Sequence, residues 1–83
     1  MLTIQAIVCV DREYDEDQLV TIFFEYDAEY GADIYWVQAE DGAMHHYTAV
    51  SVDVLAQCLT AIEAQREKIE KDGLLGYVKN NGV

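Results

Sequence analysis

The sequence has no proline, little positive charge and only two cysteines among its 83 residues. Without proline, no rigid linker and no enforced break in a helix or strand is expected. No apolar run approaches about 20 residues, and the start of the chain lacks basic residues and a small-residue cleavage site, which argues against a membrane span and a secretory signal. The length of 83 residues predicts one domain, residues 1–83, and these absences predict a location in the cytoplasm.

The two cysteines, Cys9 and Cys58, lie far apart and follow no metal-binding or disulfide spacing. Cys9 falls in a predicted strand and Cys58 in a predicted helix, and both have apolar neighbours. We therefore expect both residues to be buried free thiols, as in a reducing compartment.

Negative charge is abundant, and it is unevenly distributed along the chain. The net charge is −11, with 16 acidic residues against 5 basic ones. Residues 1–62 contain twelve acids and one base, Arg12, whereas residues 63–83 contain four of each. An acidic surface of this kind repels nucleic acid and anionic membranes and attracts basic proteins. The predicted partner is a basic nucleic-acid-binding protein or ribonucleoprotein, with no direct nucleic-acid binding and no membrane.

One stretch, residues 20–30, alternates strictly between two sides, which is typical of a long strand with one face on a core. The core side comprises Val20, Ile22, Phe24, Tyr26, Ala28 and Tyr30, and the other side comprises Thr21, Phe23, Glu25, Asp27 and Glu29. Strand residues two apart are separated by about 6.6–6.8 Å. The phosphate-to-phosphate step of a nucleic-acid strand is on the order of 6–7 Å. The three carboxylates are therefore predicted to lie at the pitch of a phosphate backbone.

Three further segments show strand patterns, and turn residues separate them. The predicted strands are Leu2–Val10, Val20–Tyr30, Ile34–Glu40 and Ala43–Val50, joined by an acidic loop Asp11–Gln18, a turn at Gly31 and a hairpin at Asp41-Gly42. A two-residue hairpin loop would pair Trp36 with Tyr47. Both faces of this hairpin carry apolar groups, so either face could meet the helix.

A single helix is predicted after the strands. Ser51 is a suitable N-cap, Asp53 stands in the first turn where the helix dipole favours an acid, and the helix runs over Val52–Lys71 to a stop at Gly73. The apolar segment 74–78 is either a fifth strand or a turn. The predicted fold class is α+β, an antiparallel sheet of four strands, or five with 74–78, and one long helix on one face in the order β-β-β-β-α.

Two patterns suggest an enzyme or metal site, and neither is complete. His45 and His46 are adjacent on a predicted strand, so their imidazoles point to opposite faces and cannot share a metal or substrate. Asp11-x-Glu13-x-Asp15 resembles the start of an EF-hand loop, but the sixth position is Glu16 instead of glycine, and the twelfth lacks the bidentate Glu. The chain has no glycine-rich phosphate loop and no nucleophile motif. We expect no enzymatic activity, no cofactor and no metal site.

The acids with aromatic residues among them form the predicted partner-binding surface, since aromatic anchors and charge steering are common features of interfaces. Its residues are Asp11, Glu13, Asp15, Glu16, Asp17, Phe23, Glu25, Asp27, Glu29 and Asp33. Two alternatives stay open: the acidic loop could serve only solubility, and Phe23 could be either covered or an exposed anchor.

In size and in the charge pattern of 11–33, the chain resembles the small acidic nucleic-acid mimics encoded by phages and mobile elements, among them anti-CRISPR proteins. The resemblance covers about a quarter of the chain. It implies a stoichiometric inhibitor that acts in the host cytoplasm and occupies the nucleic-acid-binding groove of a basic target such as a CRISPR effector or a nuclease. The alternatives are a small adaptor or structural subunit of a larger complex, and an antitoxin or immunity protein.

Overall fold

The computed structural model describes residues 1–69, which form a four-stranded sheet followed by helices. The elements are β1 Leu2–Asp11, β2 Glu16–Asp27, β3 Gly31–Gln38, β4 Met44–His46, a 3₁₀ turn Tyr47–Ala49, α1 Val52–Ala64 and a one-turn helix α2 Arg66–Lys68. The spatial order is β1-β2-β3-β4, with each strand antiparallel to the next. This confirms the predicted α+β class and the order of strands and helix.

The core lies between one face of the sheet and the helices. The strand alternation predicted for the β2 segment is observed, because Val20, Ile22 and Phe24 are all buried there. The buried residues are Val8, Val20, Ile22, Phe24, Val37, Cys58, Ile62 and Ile69. The acidic residues are thus left outside the core, on the other face of the sheet, at the strand ends, on exposed turns and on the surface of the helices.

β2 begins earlier and ends earlier than its alternation predicted. Its first residue is Glu16, which pairs with Asp11, so the acidic loop shrinks from 11–18 to a tight turn at 12–15. Its last residue is Asp27, and 28–30 form a turn. The Asp27 carboxylate accepts hydrogen bonds from the N–H groups of Glu29 and Tyr30, which closes that turn. The prediction of a loop over 11–18, made from its dense charge, was wrong. Residues of a paired strand can still direct their carboxylates into solvent, so the charge did not prevent strand pairing.

A bulge in β3 decides which face of the 34–50 hairpin is buried. Phe23 pairs with Trp36 but Phe24 pairs with Ile34, which leaves Tyr35 as an extra residue. A bulge shifts the alternation by one residue. Ile34 and Val37 therefore both face the helix, while Trp36 lies on the opposite face beside Phe23.

The β3–β4 register differs by one residue from the prediction. Trp36 pairs with His46 and not with Tyr47. The loop spans Ala39–Ala43, closed by hydrogen bonds from Gly42 N–H to Ala39 O at 2.9 Å and from Ala39 N–H to Ala43 O at 2.8 Å. The predicted strand 43–50 is reduced to Met44–His46, because the chain then enters the 3₁₀ turn.

The helix start was predicted correctly and its length was not. The Ser51 hydroxyl accepts a hydrogen bond from Val54 N–H at 3.2 Å, which makes Ser51 the N-cap. α1 ends at Ala64 because Gln65 leaves helical geometry and its N–H bonds the carbonyls of Ile62 and Glu63. After this break in the helix at Gln65, Ile69 packs in the core. The predicted stop at Gly73, the segment 74–78 and the last residues lie outside the described residues, and no helix within 1–69 could span a membrane.

Cys58 is enclosed in this core, and we expect it to resist thiol reagents. It is 0% exposed, and burial raises the pKa of its thiol to about 11. The thiolate is the reactive form, so at pH 8 only about one molecule in a thousand carries it. Titration with an aromatic disulfide at pH 8 should show one fast thiol, Cys9, and a second only after urea is added. Two fast thiols in the folded protein would contradict this burial.

Candidate partner-binding surface

The sheet has a second face, away from α1, which we call the open face. Its residues, from β1 to β4, are Thr3, Gln5, Ile7, Cys9, Asp17, Leu19, Thr21, Phe23, Glu25, Asp33, Trp36, Gln38, Met44 and His46. Within residues 1–69 no helix packs on this face. On this face Asp17, Glu25 and Asp33 lie on the same side of the sheet as Phe23 and Trp36.

The predicted acids form two groups at opposite ends of β2. The first group, which we call the β1–β2 end, comprises Asp11, Glu13, Asp15, Glu16 and Asp17. The second, the β2–β3 end, comprises Glu25, Asp27, Glu29 and Asp33. Eight strand steps separate Asp17 from Glu25, which corresponds to about 26–27 Å. The structure therefore divides the continuous acidic surface expected from the sequence into these two groups, which we also call the two acidic poles.

The predicted row of three carboxylates is shorter in the structure. Glu25 and Asp27 belong to β2, but Glu29 lies in the turn beyond the strand. Glu25 instead has Asp33 directly opposite it on β3. The pitch of a phosphate backbone along one strand is therefore limited to two residues, and the third nearby charge comes from the neighbouring strand.

Two of the acids have structural hydrogen bonds as well as charge. The Asp27 carboxylate accepts from Glu29 N–H at 2.7 Å and from Tyr30 N–H at 3.0 Å. The Asp11 carboxylate accepts from Glu13 N–H at 3.0 Å and thereby holds the other turn. Substitution at these two positions would disturb a turn as well as the surface charge.

The carboxylates at the β2–β3 end affect a neighbouring phenol. The hydroxyl of Tyr35, the bulge residue, donates to Glu25 Oε2 at 3.5 Å. The pKa of Tyr35 is raised above its usual value, chiefly by the charge of Glu25, then by desolvation and by the charge of Asp33. The raised pKa reflects a local negative potential.

The middle of the open face is apolar and aromatic. Phe23, Trp36 and His46 form one row across three strands, with the Trp36 and His46 rings 5.1 Å apart in an edge-to-face arrangement. Ile7 and Leu19 form a second row, and Ile7 is 71% exposed. Phe23 is half-buried within this centre, and the acidic turn at 12–15 lies toward the other end of β2.

Several residues of this centre were missed at the sequence level, namely Ile7, Leu19, Trp36 and Met44. The apolar character of the second side of β1 was the signal that could have identified Ile7. Trp36 could not be assigned to a face, because that assignment depends on the bulge at Tyr35.

The only base of residues 1–62 is already paired. The Arg12 guanidinium donates to both carboxylate oxygens of Asp53, at 2.8 and 2.9 Å, and joins the β1–β2 turn to the start of α1. This hydrogen-bonded pair lowers the pKa of Asp53 and raises that of Arg12. Arg12 therefore contributes no unpaired positive charge at the β1–β2 end.

One group of side chains brings metal-ligating atoms close together in the described residues. Ligand atoms of Cys9, Asp15 and Asp17 lie within 4.8 Å of one another. Two exposed carboxylates with one thiol combine hard and soft ligands, a mixture that matches no common single-metal preference. The group adds to the negative charge of the β1–β2 end.

The helix side of the sheet contains a cavity of about 670 Å³ near the start of α1. Its wall is mainly valine and alanine, with Glu40, Asp41 and His45 also in the lining. His45 faces this cavity because it pairs with Val37, whereas His46 lies on the open face beside Trp36. The prediction that the two imidazoles point to opposite faces is confirmed.

Comparison with protein-family models, with curated proteins and with solved structures found no match to this chain. The argument for function therefore depends on the open face and its charge.

Proposed function

We propose that the protein is a stoichiometric inhibitor whose open face binds a basic nucleic-acid-binding protein and takes the place of a nucleic-acid backbone. One observation carries this proposal: Asp17 at one end and Glu25 and Asp33 at the other flank an exposed apolar and aromatic centre on the open face. Apolar anchors with surrounding charge are the usual composition of a protein interface. The resemblance to small acidic mimics points the same way.

The charge distribution favours a basic partner over any other. Residues 1–62 contain twelve acids, and their single base, Arg12, is held by Asp53. Complementary charge steers encounter and can raise association rates by about 10–10³-fold. A nucleic acid would instead be repelled by both poles.

The separation of the poles suggests how such mimicry would work. About 26–27 Å corresponds to roughly eight base steps of a duplex, at ~3.4 Å per step. The two poles would engage two basic clusters of a nucleic-acid groove, and Phe23 and Trp36 would contact the surface between them. A CRISPR effector or a nuclease in the cytoplasm is the class of target that the resemblance implies.

A second candidate function is supported by the exposed apolar residues. Ile7 and Leu19 are side by side on the open face, with exposed fractions of 71% and 43%. A small adaptor subunit would use such a patch for docking into a larger complex, and its acids would serve solubility. An antitoxin or immunity protein would share the leading mechanism with a basic toxin as its target.

The test is capture of partners from bacterial lysate by the tagged protein, with elution in a salt gradient and in parallel with competing duplex DNA or RNA. We expect a basic nucleic-acid-binding protein that is released between about 0.1 and 0.5 M salt, where screening shortens the range of charge interactions. Competing nucleic acid should displace it.

A partner that stays bound at high salt and ignores nucleic acid would overturn the mimic proposal and support the adaptor. The variant Glu40→Lys/Glu67→Lys changes the net charge at exposed residues outside the open face. In the same experiment this variant should still capture the same protein.

A further inference from the structure

Within residues 1–69, β1 forms one edge of the sheet, and its outer side carries backbone groups that no other strand pairs with. β2 lies on one side of β1, and no strand within residues 1–69 pairs with the other side. In an antiparallel ladder, alternate residues direct their N–H and C=O toward the neighbouring strand. Cys9 directs these groups outward, because its N–H donates to Gln57 Oε1 at 2.7 Å and its carbonyl accepts from Gln57 Nε2 at 2.8 Å. The same alternation directs those of Thr3, Gln5 and Ile7 outward.

This edge lacks the features that usually prevent a strand from pairing with another chain. Edge strands are commonly protected by proline, by charged side chains or by a bulge. Residues 1–10 contain no proline and no charged side chain. The irregularity of β1 comes only after Cys9. From Leu2 to Val10 this edge of a chain with a net charge of −11 carries no charged side chain, and no strand within residues 1–69 pairs with it.

The free stretch is self-complementary around Gln5. Gln57 occupies the outward groups of Cys9, so the stretch ends there and leaves Thr3, Gln5 and Ile7. We propose that two copies of the chain associate through their β1 edges, antiparallel, with Gln5 opposite Gln5 and Thr3 opposite Ile7. About six new backbone hydrogen bonds would form in this register, and the product is one eight-stranded sheet.

The helices leave room for this pairing. α1 packs against both β1 and β3 and so passes over β2, and its Gln57 side chain reaches the outer side of β1 at Cys9. The β2 strands of the two copies would be three strand spacings apart, about 14 Å. Packed helices need about 8–10 Å between their axes. Between the two helices, the half-buried Leu2, Ile4 and Ala6 of each copy would gain apolar neighbours from the other.

Salt should affect this association in the direction opposite to its effect on the proposed partner. Two chains of charge −11 repel each other, and salt screens the repulsion. Dimerisation should therefore strengthen as salt rises, while binding of a basic protein should weaken. Failure of one proposal is thus distinguishable from failure of the other.

The first experiment is sedimentation equilibrium of the full chain at 50 and 500 mM sodium chloride. We expect a reversible dimer of the 9.4 kDa chain, with an association constant about tenfold higher at the higher salt. A monomer at every concentration and salt would overturn the proposal. If the chain is monomeric, hydrogen exchange at Gln5 N–H shows why. Slow exchange in the monomer would mean that the same chain covers the edge, and fast exchange would mean that nothing covers it.

Two variants at one position separate edge pairing from other contacts. Gln5→Pro removes an outward N–H that bonds no residue within 1–69, so the monomer should fold with an unchanged circular dichroism spectrum and lose dimerisation. Gln5→Val keeps the N–H and should still dimerise. Equal dimerisation by the two variants, or loss of dimer in both, would overturn the assignment to the β1 edge.

Crosslinking tests the register in a Cys9→Ala background. Gln5→Cys should form a disulfide-linked dimer on mild oxidation, because directly opposite residues have Cα atoms about 5.5 Å apart. Thr3→Cys alone and Ile7→Cys alone should not crosslink, whereas a mixture of the two chains should. Crosslinking of Thr3→Cys with itself would contradict the register.

Discussion

The Phe24→Ala variant is expected to lose about 3–5 kcal/mol of unfolding free energy, which approaches the whole stability of the domain. Phe24 is 0% exposed and lies in the central part of the core, between β1 and β3. Removal of a buried phenyl ring costs the transfer free energy of the ring and leaves a cavity. A natural domain of this length has a reserve of about 4–12 kcal/mol, and repulsion among the acids places this one toward the lower end.

The neighbouring residue is the matched control. Phe23 has the same side chain but lies half-buried on the open face. Phe23→Ala should therefore cost less than half as much as Phe24→Ala. Urea denaturation in 0.5 M salt, followed by far-ultraviolet circular dichroism, measures both variants. An equal or greater loss for Phe23→Ala would mean that the open face is covered in solution.

The second large effect is expected on association with the basic partner. The variant Glu25→Lys/Asp33→Lys replaces two acids that face each other at the β2–β3 end. Like charges are opposed both before and after the change, so the fold should be little affected. Association should slow by about tenfold at low salt, because steering charge is lost where the partner docks. Surface plasmon resonance with the captured partner, at 50 and 300 mM salt, gives the rate constants.

The control for this variant has an equal change of net charge. Glu40→Lys/Glu67→Lys alters two exposed acids outside the open face. Its association rate should fall only a few-fold, since general attraction is reduced but the docking face is intact. If both variants slow association equally, the open face is not the binding site. Asp27 is avoided as a test position because its carboxylate holds the turn at Glu29 and Tyr30.

Sequence patterns predicted those features that depend on neighbours along the chain. The period-2 alternation of residues 20–27 identified the buried side of β2, and Ser51 was correctly identified as the helix N-cap. The hairpin register was wrong by one residue, because an Asp-Gly pair was assumed to form the whole loop, whereas the loop spans Ala39–Ala43. The length of α1 was predicted wrongly, because the helix break that lets Ile69 pack in the core depends on tertiary packing.

The candidate site was predicted in part. Its acids were identified from charge alone. Within residues 1–69, Asp11 and Asp27 are the two of these acids whose carboxylates accept hydrogen bonds from backbone N–H groups. Their arrangement as two poles was not predicted, because the start of β2 at Glu16 depends on its pairing with β1. The apolar centre was missed because its two rows, Phe23–Trp36–His46 and Ile7–Leu19, form only where neighbouring strands pair.

The sequence by itself determined the α+β class, the excess of negative charge in residues 1–62 and the buried side of the central strand. Each of these depends on composition or on the period of a single segment. The tertiary structure alone decided the register of the sheet, the face on which Trp36 lies, the two acidic poles and the position of β1 at the edge of the sheet formed by residues 1–69. These features depend on a bulge, on strand order and on the position of the helix, which are contacts between residues far apart in the chain.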